Sequence, residues 1–328
     1  MSKRIFLKAV IGSAIALSLC TGMPAYSQDG VWPSKPIKWI VPYPPGGSTD
    51  VISRFMANKL QAALGQPIVV ENVGGMAGGV GTRQLAQAPA DGYTIGTAIN
   101  GTLAIIPHIY SNLGYDPIKD FTPIARFANY VNVLVVNSKE PYKTVADLVN
   151  AAKAKSGSIN YASPGNGSMG HLSAEMFASA AGVKFTHVPY KGAAAAMTDL
   201  LGGRVTFMFD LVVTSQPFLQ AGKLRALATT GRERLTREPN LPTISETFPG
   251  SEAVGWFAVA APAGVPRDIV NRLNSEIAKI LLMPDTIKLF TAQGFDVAYS
   301  TPEQLGELVR KDLPLWGRIV KSSDAKVD

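Results

Sequence analysis

Apolar and polar residues follow two alternating rhythms along most of this chain. Short, nearly continuous apolar runs such as IKWIV at 37–41 are typical of buried strands. Between them lie longer segments, such as 49–64, in which apolar residues recur every three to four positions and predict amphipathic helices. Strands and helices that alternate in this way indicate an α/β fold with a largely parallel sheet.

The predicted elements cover most of the chain after residue 36. Gly65 follows the first helix, and glycine is favoured just after a helix end. Thr144 and Asp147 have the spacing of a capping box at the start of the second helix. Helices are predicted at 49–64, 144–157, 267–282 and 301–320, and strands at 37–41, 68–71, 93–99, 132–136, 159–163, 185–188, 205–210, 224–229 and 256–262.

Two extended runs, at 127–137 and 253–266, are longer than the other strand segments. They bracket a middle segment with the ordinary α/β rhythm, so we interpret them as two crossings between lobes. On this reading 28–130 plus 257–328 form one lobe, and 131–256 form the other. A cleft between two α/β lobes is a preferred place for a small ligand.

The first 27 residues have the features of a secretory signal peptide. Three basic residues precede an apolar run of about a dozen residues, which is too short for a membrane span. Ala25 and Ser27 fit the −3 and −1 positions of a cleavage site, so we expect cleavage after Ser27. Lipidation of Cys20 stays open as an alternative, although Leu19 before it is not the small residue that a lipid-attachment site requires.

Composition excludes several classes of function. Beyond Cys20 the chain has no cysteine, so the fold has to rest on its own core rather than on disulfides. The formal charge of +7 includes three positive charges in the first 27 residues, which leaves about +4 without a basic run, and we expect no nucleic-acid binding. His108, His171 and His187 lack metal-ligand spacing, and we expect neither a metal nor a cofactor.

The stretch VPYPPGGSTDVISRFMANKL at 41–60 places glycines and hydroxyls between a strand and a helix. Gly46 and Gly47 allow close approach of a ligand, and Ser48 is predicted to cap the helix. Free N–H groups at the positive end of a helix dipole form an anion site. An ordinary tight turn before a capped helix is the alternative reading, and Asp50 in the first turn favours a structural role.

A second stretch, NYASPGNGSMGHLSAEMF at 160–177, repeats this arrangement in the middle of the chain. If one such loop belongs to each lobe, the two could face each other across the cleft. In each stretch, the loop between the strand and the helix contains no arginine or lysine, and Lys191 lies in a separate segment. The sequence therefore predicts that backbone amides and hydroxyls hold the anion, and that affinity changes little near neutral pH.

Several motifs together resemble the Bug family, the periplasmic solute receptors of tripartite tricarboxylate transporters. They include WPSKPIKWIVPYPPGGSTD, QPIVVENVGGMAGGVG, YASPGNGSMGHL, VPYKGAAAAMTDLLGG and APAGVPRDIVNRLN, in consistent order from about Trp32 to the C-terminus. The resemblance implies a two-lobed type II periplasmic-binding-protein fold with a ligand cleft between the lobes. It also implies a small carboxylate ligand (a di- or tricarboxylate, or an aromatic acid), partner subunits in an integral-membrane transporter, and a periplasmic location; we expect a monomer.

The resemblance also implies which residues contact the ligand. In the stretch NGTLAIIP, Leu103 and Ile106 stand where the family often has polar residues, which predicts a more apolar wall and a less polar solute. The implied contacts are Tyr43, Gly47, Ser48 and Asp50 in the first lobe, Asn100 and Thr102 in NGTLAI, Ser163, Gly167, Ser168 and His171 in the second lobe, and then Tyr190 and Asp210.

Three other functions compete with this one. The glycines of GGMAGGVG at 74–81 do not form a dinucleotide-binding fingerprint at a strand-to-helix turn, so we interpret them as a loop that enters the next helix. Ser168, His171 and Asp210 could compose a hydrolase triad, but the motif G-x-S-x-G is absent, and we expect no enzyme. A receptor that presents its ligand to a sensor protein remains the alternative to transport.

Overall fold

The computed structural model describes residues 32–235 and 237–322. The predicted signal peptide, its cleavage site and Cys20 lie outside these ranges. Every element below belongs to one compact unit, which begins at Pro33. Within the described ranges, no helix combines the length and the apolar character that a membrane span requires.

The first third of this unit is a parallel β-α-β arrangement. β1 pairs in parallel with β2 on one side and with β3 on the other, as alternating apolar strands and amphipathic helices predict. Gly65, with φ at +70°, ends α1 in the left-handed conformation that glycine adopts easily. The elements are β1 (Ile37–Val41), α1 (Ser48–Leu64), β2 (Ile68–Asn72), α2 (Gly79–Ala86) and β3 (Thr94–Ile99).

β4 (Phe121–Asn137) is a 17-residue strand that belongs to two sheets. Its first part pairs antiparallel with β9 (Val254–Pro262) and β10 (Phe295–Val297), and β9 in turn pairs with β3. Its last part pairs with β7 (Phe207–Leu211) and β8 (Leu224–Thr229). The first long run is therefore a crossing between sheets, whereas β9 pairs within the first sheet.

The second sheet has its own parallel core. β5 (Asn160–Ser163) pairs in parallel with β6 (Thr186–Pro189) and with β7. The capping box predicted from Thr144 and Asp147 is present, and its helix ends at Ala154 because Lys155 is extended. The helices of this half are α3 (Val145–Ala154), α4 (Met169–Ala181), α5 (Ala193–Leu201) and α6 (Val212–Gln220).

The chain ends in three helices that cover the first sheet. α7 (Arg267–Leu281) and α9 (Pro302–Ser322) both contact β4, and α7 also packs on α1. α8 (Pro284–Gln293) leads into the short strand β10. The sequence predicts α7 and α9 within two residues, but α8 and the three-residue β10 carry too little periodicity for prediction.

Each sheet has a separate hydrophobic core. Ile40, Trp256 and Leu305 are buried together on the first sheet, and Tyr161 and Phe177 are buried together on the second. Burying each of these large side chains contributes about 1.5–3 kcal/mol relative to exposure. Separate cores on two sheets that are joined by β4 are the architecture that two lobes require, and the lobe boundaries given above stay a prediction.

Candidate functional site

A cavity of about 800 Å³, counting the space open to solvent, lies where the first loop, between β1 and α1 (residues 42–47), approaches the second loop, between β5 and α4 (residues 163–168). From the first-sheet side it is lined by Tyr43, Pro44, Pro45, Gly47, Ser48, Thr49, Ile99, Gly101, Tyr130 and Phe257, and from the second by Asn132, Pro164, Ser168, Met169, Gly170, Lys191, Gly192, Ala193, Ala194, Phe209, Asp210 and Leu211.

The first loop brings the start of α1 to the cavity. Gly47, not Ser48, is the N-cap residue, and among the described residues it provides no side-chain cap for the first amides of α1. Ser48 and Thr49 are buried on the cavity wall, and the Ser48 hydroxyl has no hydrogen-bond partner among the described residues. The sequence prediction of Ser48 as N-cap is wrong by one residue, because a glycine holds the extended conformation that precedes the helix.

Asp50 stabilises this loop from behind. Its carboxylate accepts hydrogen bonds from the Gly46 N–H at 3.0 Å, the Arg54 Nε at 2.8 Å and the Asn72 Nδ2 at 2.9 Å. Burial acts to raise the pKa of Asp50, but these bonds outweigh it and lower the pKa. The carboxylate has a structural role, as its place in the first turn predicts, and it is not on the cavity wall.

The glycine-rich stretch at 74–81 supports the first loop from the other side. A Cβ on Gly81 would lie 2.8 Å from Pro42 Cα, and one on Gly78 would lie 2.7 Å from Thr102 Cγ2. The Tyr43 hydroxyl donates to the Ala77 carbonyl oxygen at 2.8 Å. These glycines allow the backbone of 74–81 to pack directly against the first loop.

The second loop, residues 163–168, ends at α4. Ser168 is the N-cap residue of α4, and its Oγ accepts from the His171 N–H at 3.3 Å. Ser168, Met169 and Gly170 line the cavity. The Gly167 N–H donates to His171 Nδ1 at 3.0 Å, so this amide is directed to the histidine.

A third helix start reaches the same cavity, and the sequence does not predict it as a site. Lys191 and Gly192 precede α5, and both line the cavity together with Ala193 and Ala194. Lys191 makes no ion pair within the described part of the chain. A signal is present in VPYKGAAAA, which is again a strand, a glycine and a helix, but an alanine run is equally typical of a packed helix face.

The cavity also contains a buried carboxylate. Asp210 is 3% exposed, and its Oδ2 accepts from the hydroxyls of Thr214 and Ser215. Burial raises the pKa of Asp210 to about 6, although those hydrogen bonds act to lower it. No positive charge contributes to this pKa among the described residues. Ile99, Tyr130 and Phe257 form an apolar wall nearby.

The predicted contact residues divide into two groups. Tyr43, Gly47, Ser48, Ser168 and Asp210 line the cavity, whereas Asp50, Asn100, Thr102, Ser163, Gly167, His171 and Tyr190 do not.

Residues of the second group bond to protein atoms behind the wall. Asn100 Oδ1 accepts from the Tyr130 hydroxyl at 2.9 Å, and the Tyr190 hydroxyl donates to Asp199 Oδ2 at 2.7 Å. The Thr102 hydroxyl donates to the Ile99 carbonyl oxygen at 3.3 Å. These residues shape the wall through the groups that they contact.

The structure bears on two other interpretations of the sequence. Leu103 and Ile106 are buried in the protein interior and are absent from the cavity wall, so they do not make it more apolar. The hydrolase alternative also lacks its geometry, because Asp210 binds Thr214 and Ser215, and His171 Nδ1 accepts from the Gly167 N–H. Within the described residues, no group of three or more His, Cys, Asp or Glu is arranged to hold a metal ion.

Comparison with known proteins gives consistent similarities over most of the chain. The profile of the family described as "Tripartite tricarboxylate transporter family receptor" matches residues 52–324. The protein BugT of Bordetella pertussis is 35% identical over 323 residues, which cover 98% of this chain and 98% of BugT.

Three solved structures share the fold at TM-scores above 0.8. Rpa4515 of R. palustris with adipate has a TM-score of 0.86 at 36% identity, covering 89% of this chain and 98% of that one. The periplasmic binding protein BugD has a TM-score of 0.85 at 32% identity, covering 90% and 99%. MatC from Rhodopseudomonas palustris with bound malate has a TM-score of 0.81 at 30% identity, covering 88% and 99%. The two-lobed periplasmic-binding-protein fold is thereby confirmed.

Proposed function

The chain belongs to the tripartite tricarboxylate transporter receptor family, and from this premise we propose that it binds a small dicarboxylate in the cavity and delivers it to a membrane transporter. Its general function, that of a periplasmic solute-binding receptor, follows from the family. The ligand, the partner and cleavage after Ser27 are the parts that we propose.

The observation that carries the proposal is the meeting of three helix starts at one cavity. The first residues of α1, α4 and α5 all line it, and each helix start presents the positive end of a helix dipole. Lys191 adds a full positive charge that is not neutralised by an ion pair in the described residues. This concentration of positive potential favours a solute with more than one negative group.

The neighbours support a dicarboxylate in particular. Two neighbouring structures that share at least 30% sequence identity with this chain contain adipate and malate, and both of these are dicarboxylates. The apolar side chains of Ile99, Phe209 and Phe257 suit the carbon chain between two carboxylates. We propose that Ser48 and Ser168 supply hydroxyl donors, and that Gly47 gives the first carboxylate room against the backbone.

Transport is favoured over the two alternatives by family membership. A receptor that presents its ligand to a sensor protein would need the same ligand site. The two functions differ only in which partner protein recognises the ligand-bound receptor. The hydrolase alternative has no support from the cavity, because its three residues bond to other groups.

Calorimetric titration of the mature protein with malate, succinate and adipate, and with the matching diamides, tests the proposal. We expect at least one dicarboxylate to bind, and no diamide, because charge-assisted hydrogen bonds contribute about 1.5–3 kcal/mol each. Mass spectrometry of solute that co-purifies with the protein identifies the natural ligand. Equal binding of acids and amides, or no binding of any acid, would refute the proposal.

Two substitutions locate the site. Gly47 has an ordinary φ of −83°, and a Cβ there meets nothing closer than 4.0 Å, so Gly47→Val is expected to fold normally. Its side chain would occupy the space of the carboxylate, and we expect binding to be lost. Ser48→Ala should weaken affinity by about tenfold at most, because one hydroxyl donor is removed and the backbone donors remain.

A further inference from the structure

The second loop is bordered by two histidines whose rings stack on each other. His171 lies in the first turn of α4 and His187 on β6, and their ring centroids are 3.9 Å apart with planes inclined by only 10°. Tyr161 on β5 stacks on His187 at 4.8 Å and lies 6.3 Å from His171. His171 is 4% exposed, and His187 is half-buried.

Each imidazole contacts a different end of the second loop. His187 Nε2 lies 2.6 Å from the Ser163 Oγ at the start of the loop, and the same Oγ accepts from the Gly165 N–H at 3.2 Å. His171 Nδ1 accepts from the Gly167 N–H at 3.0 Å at the end of the loop. Because Nδ1 is an acceptor there, a neutral His171 carries its proton on Nε2.

The surroundings keep both rings neutral. Burial lowers the pKa of His171 to about 3, with a smaller contribution from the nearby His187, and burial lowers the pKa of His187 to about 4. The other titratable groups at the stack are Tyr161 and Glu175, which accepts from the Tyr161 hydroxyl at 2.6 Å. A proton on His171 Nδ1 would remove the acceptor for Gly167, so the loop geometry depends on the neutral form.

We propose that His171 and His187 are a positioning pair that holds the second loop, residues 163–168, in the shape that presents the start of α4 to the ligand. Neither ring lines the cavity, so the pair acts on the ligand through the loop. This inference rests on the proposed function for its effect on affinity, but the hydrogen bonds themselves are measurable without any ligand.

A crossed set of amide substitutions tests the pair. The Oδ1 of asparagine occupies nearly the position of histidine Nδ1, whereas the amide end of glutamine reaches that of Nε2. We therefore expect His171→Asn to retain the acceptor for Gly167 and His171→Gln to lose it. At position 187 the order reverses, since His187→Gln retains a partner for Ser163 and His187→Asn does not.

Affinity for malate or adipate, measured by calorimetry at pH 7.5, is the first readout. We expect His171→Gln and His187→Asn to weaken binding about tenfold, and the two matched variants to stay within about threefold of wild type. If the two variants at one position bind equally, the specific nitrogen is unimportant and the proposal is wrong. Loss of the ring stack alone would affect both variants at a position in the same way.

The second readout needs no ligand. In ¹⁵N spectra of the unliganded protein we expect His171 as the neutral Nε2–H tautomer from pH 5 to 8, with His108 as a separate reference signal. The Gly167 amide should exchange slowly with solvent in wild type and His171→Asn, and faster in His171→Gln. A charged His171, or unchanged exchange of Gly167, would overturn the inference. If no dicarboxylate binds but these results hold, the proposed ligand is wrong while the role of the pair stands.

Discussion

At the scale of single residues, Asp210 is the group whose place in the cavity most constrains the ligand. It is buried without a neighbouring cation among the described residues, inside a cavity that we propose to be anion-binding. An ionised Asp210 repels a carboxylate, and it is stabilised by a solute that offers a hydrogen-bond donor. We infer that the carbon chain of the solute carries a hydroxyl or ammonium group near Asp210, as the hydroxyl of malate could.

Asp210→Asn should therefore change ligand preference rather than abolish binding. At pH 7.5 we expect it to strengthen binding of adipate, since a negative charge is removed, and to weaken binding of malate, since a charged acceptor is lost. Each effect should be about three- to tenfold, which corresponds to about 1 kcal/mol. Calorimetry with both ligands on both proteins measures the change, and a shift of both ligands in the same direction would contradict it.

The pH dependence of stability provides the control for this variant. The folded pKa of Asp210 is raised to about 6, above its ordinary value of 3.8. Its contribution to stability is thus fully present below about pH 4 and is lost as pH rises through 6. Thermal unfolding of wild type should therefore lose stability relative to Asp210→Asn between about pH 4 and 6.

The roles of individual residues are harder to predict from the sequence than the secondary-structure elements or the fold. Tyr43, Ser48 and Ser168 reach the cavity because their backbone positions in the two loops dictate it. His171 and Tyr190 lie within a few residues of the wall, but their side chains bond to Gly167 and Asp199. Side-chain direction depends on neighbours that are distant in sequence, so a linear motif does not contain it.

At the scale of elements, the starts of α1, α4 and α5 compose the site, and the strands predictable from sequence place them there. Apolar runs predict β1, β5 and β7 within two residues because burial on both faces leaves an unbroken pattern. The π-helical turn at Gly101–Ile105 has no such pattern and is not predicted. Lys191 is separated from the site in sequence, and the pairing of β6 with β5 brings it to the cavity.

The charge of Lys191 at the start of α5 leads to a prediction that would not follow if backbone amides alone bound the ligand. Lys191→Met should weaken dicarboxylate binding about fivefold in low salt, since about 1 kcal/mol of charge attraction is lost. The difference from wild type should shrink as ionic strength rises and screens the charge. Lys184→Met is the matched control, because Lys184 is exposed in the same half of the molecule and is not on the cavity wall. Calorimetry at low and high salt measures both variants, and equal loss in the two would mean that Lys191 acts only through net charge.

At the scale of the whole molecule, the two halves touch beside the cavity. A Cβ on Gly167 would lie 2.5 Å from Ile109 Cδ1, so the second loop is seated directly against the segment after β3. Asn100 Nδ2 also approaches Met169 Sδ at 3.9 Å from the same side. The general architecture of two lobes is predictable from the two long strand runs, but this seating is not, because it depends on a glycine without a side chain.

Substitutions of the two glycines at the ends of α4 can distinguish the effect of a disturbed lobe contact from the effect of backbone strain. Gly167 precedes α4 with φ at +77°, and Gly182 follows it with φ at +63°. Alanine at either position is strained by about 1–2 kcal/mol in the left-handed region, but a Cβ on Gly182 meets nothing within 4 Å. We therefore expect Gly167→Ala and Gly182→Ala both to lower Tm through backbone strain, while only Gly167→Ala also disturbs the contact between the lobes.

Binding that closes the lobes should depend on this contact. In wild type, ligand at about 100 times its Kd should stabilise the protein by about 2.7 kcal/mol and raise Tm by several degrees. Gly182→Ala should retain this rise at the same ligand concentration, and Gly167→Ala should lose most of it because its closed form is destabilised. Thermal shift with and without malate or adipate measures all three proteins, and an equal rise in both variants would show that the ligand binds without seating Gly167 against Ile109.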